Sequence, residues 1–339
     1  MKSVTVDQNG KVFIDEVKTP EIRTNGILVK THYSLISSGT ESKLIKKRRE
    51  NPLDKKDRFQ LGYSNAGEVI QVGNKCLCAK VGDRVACGGW AVAVHAEKVS
   101  VPKNLLSVIP ENVEYKEAAF TTIACVCLQA VRRCKVQLGD TVALLGQGLL
   151  GQLCNQFAKI SGARTIVSAK YEKQTELSRK LGADLVLTPG DDIVRKAMNF
   201  TEGKGVDAVV ICVGGDMSSL FAKAVDIARD RAKIILLGRG SIFFDDTIFY
   251  RKELTILASR AYGPGRYDLT YEIEGFDYPI GYVKWTENRN MKEILHLISE
   301  KKLQLKPLVT HEFTIDEASK AYETIAQEKG NAIGVLLKY

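Results

Sequence analysis

The chain has 339 residues, of which 45% are hydrophobic and 26% charged. That composition excludes an intrinsically disordered chain, and the length suits two domains of ordinary size. Lys and Arg (49) outnumber Asp and Glu (40), for a formal charge of +9; the excess raises nucleic acid, membranes and phosphorylated ligands as partners without choosing among them, because both signs are spread along the chain.

The first hundred or so residues read as short strands and turns. VTVDQNGKVFIDEV holds two β-like runs around Asn9-Gly10, a hairpin dipeptide. GILVKTHYSLI, GEVIQVG, GDRVACGG and HAEKVSVP continue the pattern, punctuated by glycine and proline, as expected of a small β-rich domain. From about Glu117 helices and strands alternate: AAFTTIACVCLQAVRRC is a predicted helix, TVALLG a buried strand, and LLGQLCNQFAKISG an amphipathic helix. RTIVSA, DLVLT, GVDAVVICVGG and AKIILLG are further strands, separated by the helices KQTELSRKLGA, DDIVRKAMNFT and SSLFAKAVDIAR. Such alternation predicts a parallel, doubly wound sheet. The tail adds a helix (NMKEILHLISEKK), a strand (LVTHEF), a helix (IDEASKAYETIAQ) and a closing strand (AIGVLLKY). The fold class read from this order is α/β: a β-rich domain from residues 1–118 and 266–339, with a dinucleotide-binding domain, residues 119–265, inserted in it.

MKSVTVDQNG has no apolar core of a secretory signal, and no apolar run reaches the roughly 18 residues of a transmembrane helix. The expectation is a cytoplasmic protein whose eight cysteines are free thiols, several of them small core residues.

Gly146-Gln147-Gly148-Leu149-Leu150-Gly151 follows a strand and opens a helix, the context in which G-x-G-x-x-G binds a dinucleotide. The first glycine makes the tight turn, the second lets the backbone approach a pyrophosphate, and the third lets helix and strand pack closely. The helix N-terminus, Leu149 and Leu150 included, supplies free N–H groups. The end of the next strand selects the cofactor. An acid there accepts hydrogen bonds from the ribose hydroxyls and selects NAD. Here the sequence reads Val167-Ser168-Ala169-Lys170-Tyr171-Glu172-Lys173. Ser168 suits a hydrogen bond to a 2′-phosphate, and Lys170 or Lys173 suits its charge, so NADP(H) is favoured over NAD(H). In the alternative, the two lysines are a solvated helix start and Glu172 reaches the ribose.

The arrangement resembles the medium-chain dehydrogenase/reductase superfamily, the alcohol and polyol dehydrogenases, over nearly the whole chain. LGYSNAGEVIQVG is similar to that family's G-H-E-x-x-G-x-V segment, and GDRVACGG, AEKVSVP, the glycine loop, KLGAD (180–184) and CVGG (212–215) fall in family order. The resemblance implies a GroES-like catalytic domain made from both ends of the chain, with a Rossmann domain between. It implies a nicotinamide cofactor whose contacts include Val213, Gly238 and Arg239, the last two lying where the family's backbone meets the nicotinamide amide. SLISSGTE, LGYSNAG, GLLGQL, AYGPGRYD, YVKWTENRNM and GVLLKY resemble more narrowly a bacterial subgroup. In that subgroup this module is often fused to a second oxidoreductase module and is associated with polysaccharide or sugar metabolism. The 339 residues hold one module, and the segment between Thr40-Glu41 and Leu61-Gly62 is shorter than in the fused proteins.

Zinc-dependent members of the family take ligands from C-G-[ST]-D and G-H-E strings. The matching strings here are Ser38-Gly39-Thr40-Glu41 and Gly62-Tyr63-Ser64, and the third ligand would fall near Thr122 or Ile123. A catalytic zinc takes about three Cys, His or carboxylate ligands, so the expectation is no bound zinc. The cysteine quartet of a second, structural zinc is missing after Cys87; Cys76-Leu77-Cys78 and Cys125-Val126-Cys127 are C-x-C.

Hydride transfer to a ketone leaves an alkoxide that must be stabilised and protonated. By analogy Tyr63, in the place of the ligand histidine, faces the pocket, and Thr40 matches the family's relay hydroxyl with Ser38 and Glu41 beside it. These four are the expected catalytic group; alternatively Tyr63 only fills the vacated volume. Tyr262 and Arg266, in the Tyr262-Gly263-Pro264-Gly265-Arg266 loop, are the expected substrate contacts. Arg266 suits an acidic or phosphorylated group, or else is a structural arginine.

The reading is an oxidoreductase acting on an alcohol or ketone of a sugar-, polyol- or nucleotide-sugar-like small molecule, with no nucleic acid or membrane partner and a homodimer by family habit. Enone or quinone reduction is the chemical alternative. A nucleic-acid or regulatory NADPH-binding protein is the non-catalytic one, resting on the basic stretch SKLIKKRRENPLDKKDR (42–58), in which acids are interleaved and Phe59 is the only nearby ring.

Overall fold

The computed structural model describes residues 1–53 and 57–339; residues 54–56, near the end of the basic stretch, lie outside it. The chain divides into two compact units, Met1–Cys125 with Tyr262–Tyr339, and Val126–Ala261.

The first unit begins with the hairpin β1 (Lys2–Val6) and β2 (Val12–Glu16), in which Val6 faces Val12 across the turn. Asp7 closes that turn by accepting from the Asn9 and Lys11 amides at 2.9 and 2.8 Å, and Gly10 takes the φ of +76° it requires. β3 (Gly26–Leu35) follows, with Ile27, Val29 and Leu35 wholly buried. Next come the helix α1 (Ser38–Glu50), β4 (Phe59–Gln60), β5 (Ser64–Val72), β6 (Arg84–Gly88), β7 (Lys98–Pro102), β8 (Leu106–Val108), the single turn α2 (Tyr115–Ala118) and α3 (Thr121–Cys134). The division between the units falls within α3.

α1 carries most of the basic stretch, yet its third turn is anchored rather than solvated. Arg48 is buried, donates to the Val6 and Asp7 carbonyls at 2.9 and 3.0 Å, and pairs with Asp57. Arg49 donates to the Gly10 carbonyl at 3.1 Å. These two arginines hold the helix against the first hairpin, which accounts for part of the charge excess structurally.

The second unit is built on β9 (Thr141–Leu145), α4 (Leu149–Ile160), β10 (Arg164–Ser168), α5 (Glu172–Lys180), β11 (Leu185–Leu187), α6 (Ile193–Phe200) and β12 (Val206–Ile211). It continues with β13 (Gly215–Asp216), α7 (Ser218–Ile227), β14 (Ala228–Leu236), β15 (Gly240–Ser241), α8 (Asp246–Arg251) and β16 (Thr255–Ala258). Six strands form a parallel sheet in the order β11-β10-β9-β12-β14-β16. Renumbered within the sheet this is 3-2-1-4-5-6, the doubly wound nucleotide-binding order, with its switch point between β9 and β12. All five residues of β9 are buried, as a central parallel strand covered on both faces must be. The helix predicted to run through Arg229 ends at Ile227, because Ala228 already pairs with Val206.

The chain then completes the first unit with α9 (Glu287–Ser299), β17 (Val309–Thr314), α10 (Ala318–Gln327) and β18 (Gly334–Lys338). β18 pairs with β3 and β17 forms the edge of the larger sheet, β17-β18-β3-β5-β6-β8, with β7 also paired to β3; a smaller sheet is β2-β1-β4. Both ends of the sequence therefore share one core: Val4, Val6, Ile36, Ile45, Leu61, Ile315, Ala318, Tyr322, Val335 and Leu337 pack as a cluster. Among the described residues no helix is long and apolar enough to cross a membrane.

Candidate active site

In the second unit the glycine loop is formed as its chemistry demands. Gly146 has φ +99° and donates its amide to the Ser168 carbonyl at 2.8 Å, tying the loop to the end of β10. A Cβ at Gly146 would lie 2.3 Å from Val213 Cγ1, and one at Gly151 would lie 1.9 Å from the Gly146 carbonyl oxygen. Neither position admits a side chain. Gly148 differs: it caps α4, and a Cβ there would meet nothing within 4 Å. That open approach to a helix N-terminus is where a pyrophosphate fits. Leu149 has a buried side chain and so has its amide to offer. Gln147, Ser178 and Gln152, which sequence reasoning missed, brace the loop from behind: Ser178 donates to Gln147 Oε1 at 3.2 Å, and Gln152 donates to Ser178 Oγ at 2.9 Å.

At the end of β10, Ser168 is half-buried and Ala169 buried, while Lys170, Glu172 and Lys173 are exposed. β12 and β14 bring Val213, Gly238 and Arg239 together at their C-terminal ends. A Cβ on Gly238 would lie 1.5 Å from the Val213 carbonyl oxygen, and Gly215 donates to the Arg239 carbonyl at 3.1 Å. This crevice at the switch point fits a dinucleotide on the geometry of its own residues.

In the first unit the expected catalytic residues divide. Tyr63 is half-buried, donates from Oη to Ser37 Oγ at 2.7 Å, and stands with its ring 6.0 Å from that of Trp90. Ser38 is half-buried at the start of α1 and Thr40 is exposed one residue past Gly39. Glu41 turns inward and has no exposed surface. Its Oε1 accepts from the Ser37 amide at 2.7 Å, and its Oε2 lies 3.1 Å from His95 Nε2 and accepts from Tyr322 Oη. His95 Nδ1 in turn lies 2.7 Å from Ser34 Oγ, which is 2.8 Å from Tyr339 Oη. A proton on Nε2 facing the carboxylate leaves Nδ1 to accept from Ser34. Burial pushes the phenols of Tyr322 and Tyr339 well above the usual tyrosine range, so both stay donors.

Glu41 therefore acts through the backbone: it fixes Ser37, and Ser37 holds the phenol of Tyr63. Gly62 admits the imidazole to this site, since a Cβ there would lie 2.6 Å from the His95 amide and its φ is +99°. Ser34, Ser37, His95, Tyr322 and Tyr339 were not singled out from sequence. A histidine inside the apolar run VAVHAEKV was the available signal for one of them; the two tyrosines, close to the C-terminus, gave none.

Arg266 is paired with Glu272 at 2.5 Å, both side chains being nearly buried, and its guanidinium lies 3.8 Å from the Tyr267 ring centroid and 5.4 Å from that of Tyr262. Tyr262 is buried, its carbonyl accepting from Asn290 Nδ2 at 3.1 Å.

The positions matching the family's zinc ligands offer a serine (Ser38), a phenol (Tyr63) and the hydroxyl of Thr122, which is buried and donates to the Cys87 carbonyl at 3.1 Å. Ile123, the other candidate for the third place, is buried and apolar. This donor set does not fit zinc. Among the described residues no three His, Cys, Asp or Glu side chains gather into a metal-holding group.

The profile of the family described as zinc-binding dehydrogenase matches residues 150–274, a stretch that includes none of those ligand positions. A sorbitol dehydrogenase of Halalkalibacterium halodurans is 26% identical over 82% of this chain and 82% of its own length. A D-arabitol-phosphate dehydrogenase of Enterococcus avium is 24% identical over 100% of this chain and 97% of its own. Among solved structures, galactitol-1-phosphate dehydrogenase from Escherichia coli superposes with a TM-score of 0.82 at 20% identity, covering both chains completely. A Sinorhizobium meliloti protein described as a zinc-binding dehydrogenase and bound to NADP superposes with a TM-score of 0.80 at 21% identity over the whole of both chains. Over its whole length the chain is similar to alcohol and polyol dehydrogenases, and it is an oxidoreductase of that type.

Proposed function

We propose that the protein is a zinc-independent, NADP(H)-linked oxidoreductase that interconverts an alcohol and a ketone on a sugar-, polyol- or nucleotide-sugar-like substrate. The observation that carries this reading is the Tyr63 phenol, presented in the place of a metal-ligating histidine and held by Ser37, which a buried carboxylate–histidine pair fixes from below. When bound, the nicotinamide supplies or takes up a hydride. The chain's own residues orient the oxygen that changes charge and handle its proton. A phenol with a hydroxyl partner does both once their hydrogen bond is reversed: the phenol turns its proton from Ser37 Oγ to the developing oxyanion, and the Ser37 hydroxyl then donates to the phenol oxygen.

NADP(H) is favoured by the absence of an acid at Ser168 and Ala169 and by the exposed Lys170 and Lys173 beside them. The sugar-like substrate class rests on the relatives, two of which are named for sorbitol and for a phosphorylated arabitol. Metal analysis of the purified protein alongside NADPH and NADH titrations tests the reading. It predicts no stoichiometric zinc and tighter NADPH binding. Preferential NADH binding would remove the roles given to Ser168 and the two lysines.

A further inference from the structure

The segment that re-enters the first unit, from Tyr262 to the first turn of α9, buries more polar chemistry than it satisfies. Glu287, the first residue of α9, has no exposed surface, and neither of its carboxyl oxygens has a hydrogen-bond partner. Tyr262, 4% exposed, has an unpartnered phenol. Both stand within electrostatic reach of the Arg266–Glu272 pair, and Tyr262 also within reach of Tyr63. Native interiors rarely leave such atoms unmet, because an unsatisfied buried donor or acceptor keeps its full desolvation cost. Two orphaned groups within electrostatic reach of each other therefore point to something that enters and pairs with both.

The chemistry of the cluster says what enters. Glu272 already neutralises Arg266 at 2.5 Å, so the one cation of the cluster is engaged. Burial, reinforced by Glu272 and opposed by Arg266, holds the Glu287 carboxyl protonated up to about pH 9. The other groups facing it are Tyr262, raised well above the usual tyrosine range by burial, and Tyr271 and Tyr278, each pushed up to about 12. All of them stay neutral while Glu287 does. A protonated carboxyl offers one O–H donor and one carbonyl acceptor, the complement of a hydroxyl; a phenol offers the same pair again. A phosphate or carboxylate arriving here would meet an engaged arginine and a carboxylate, Glu272, within reach.

We propose that Tyr262 and Glu287 form a subsite for an uncharged hydroxyl-bearing arm of the ligand, so that the protein takes neutral polyols or keto-sugars in preference to their phosphate esters. The inference rests on the oxidoreductase reading for its substrate class and deepens it.

Isothermal titration of the whole protein with D-sorbitol and with D-sorbitol 6-phosphate, without cofactor, tests it. At neutral pH sorbitol is expected to bind about tenfold or more tighter than the ester. Sorbitol binding is expected to weaken by a similar factor above pH 9, where Glu287 ionises. The Glu287→Gln variant, whose amide still offers an N–H donor and a carbonyl acceptor without ionising, is expected to bind sorbitol like the parent at neutral pH and to show no alkaline loss; Tyr262→Phe is expected to bind it more weakly. Equal or tighter binding of the ester, or the same alkaline loss in Glu287→Gln, would overturn the subsite. The titration involves no turnover, so the two readings fail separately. Sorbitol binding with no redox activity on any sugar would sink the oxidoreductase reading alone. Preference for the ester in an active enzyme would sink the subsite alone.

Discussion

Tyr63, Ser168 and Glu287 each carry a prediction. Tyr63→Phe removes the one phenol hydrogen-bonded to Ser37 and leaves ring packing on Trp90 intact. If the phenol handles the proton, turnover should fall by about two orders of magnitude with cofactor affinity unchanged, as for loss of a general acid; steady-state kinetics with NADPH and the true substrate would show it, and unchanged kcat would reduce Tyr63 to a space-filling residue. Ser168→Asp places an acid at the end of β10, and competitive titration should show affinity moving from NADPH toward NADH through repulsion of the 2′-phosphate. Glu287 makes a prediction for stability. Its folded pKa, about 9, lies above the ordinary carboxyl value of 4.5. Between these two values the unfolded chain releases a proton that the native chain keeps, so the stability present below the lower value is lost as pH rises toward the upper one. The slope for one such group is about 1.4 kcal/mol per pH unit. Thermal unfolding of Glu287→Gln should therefore show a growing advantage over the parent from mildly acid to mildly alkaline pH; parallel curves would mean that Glu287 is ionised in the native state.

At the scale of elements, the glycine loop separates packing from binding. Gly151→Ala puts a Cβ 1.9 Å from the Gly146 carbonyl oxygen, so it should cost about 1–3 kcal/mol of stability together with cofactor binding. Gly148→Ala meets open space and keeps an ordinary φ of −70°, so it should fold with a Tm near the parent's and still bind NADPH poorly, because its methyl occupies the phosphate approach. Paired melting curves and NADPH titrations check both. This loop was legible in sequence because a strand, a turn and a helix must each be spelled locally. The alternation of strands and helices from Thr141 to Ala258 was legible for the same reason, since hydrophobic period carries it. The end of α7 was not: nothing local marks Ile227, and the strand pairing of Ala228 decides it. Glu41 is legible from its place beside Thr40, and its partners are not. His95 and Tyr322 reach it through the fold, from the loop between β6 and β7 and from α10, and residue spacing carries no record of that meeting. Arg266 was legible as a buried-or-binding ambiguity, and Glu272, six residues on, resolves its geometry.

At the scale of the whole molecule, the two sequence ends build one unit and the middle builds the other. The charge excess takes on local meaning: Arg48 and Arg49 staple α1 to the first hairpin, and Lys170 and Lys173 stand exposed where a cofactor phosphate is proposed. The central proposal is that the phenol and its hydrogen-bonded support do the work that a metal does in zinc-dependent alcohol dehydrogenases. The most direct test is NADPH-dependent reduction of a keto-sugar panel by protein dialysed exhaustively against a chelator, with metal content measured on the same sample. The account predicts an unchanged rate in protein carrying no stoichiometric zinc. Activity that vanishes on dialysis and returns with one added zinc per chain would contradict it.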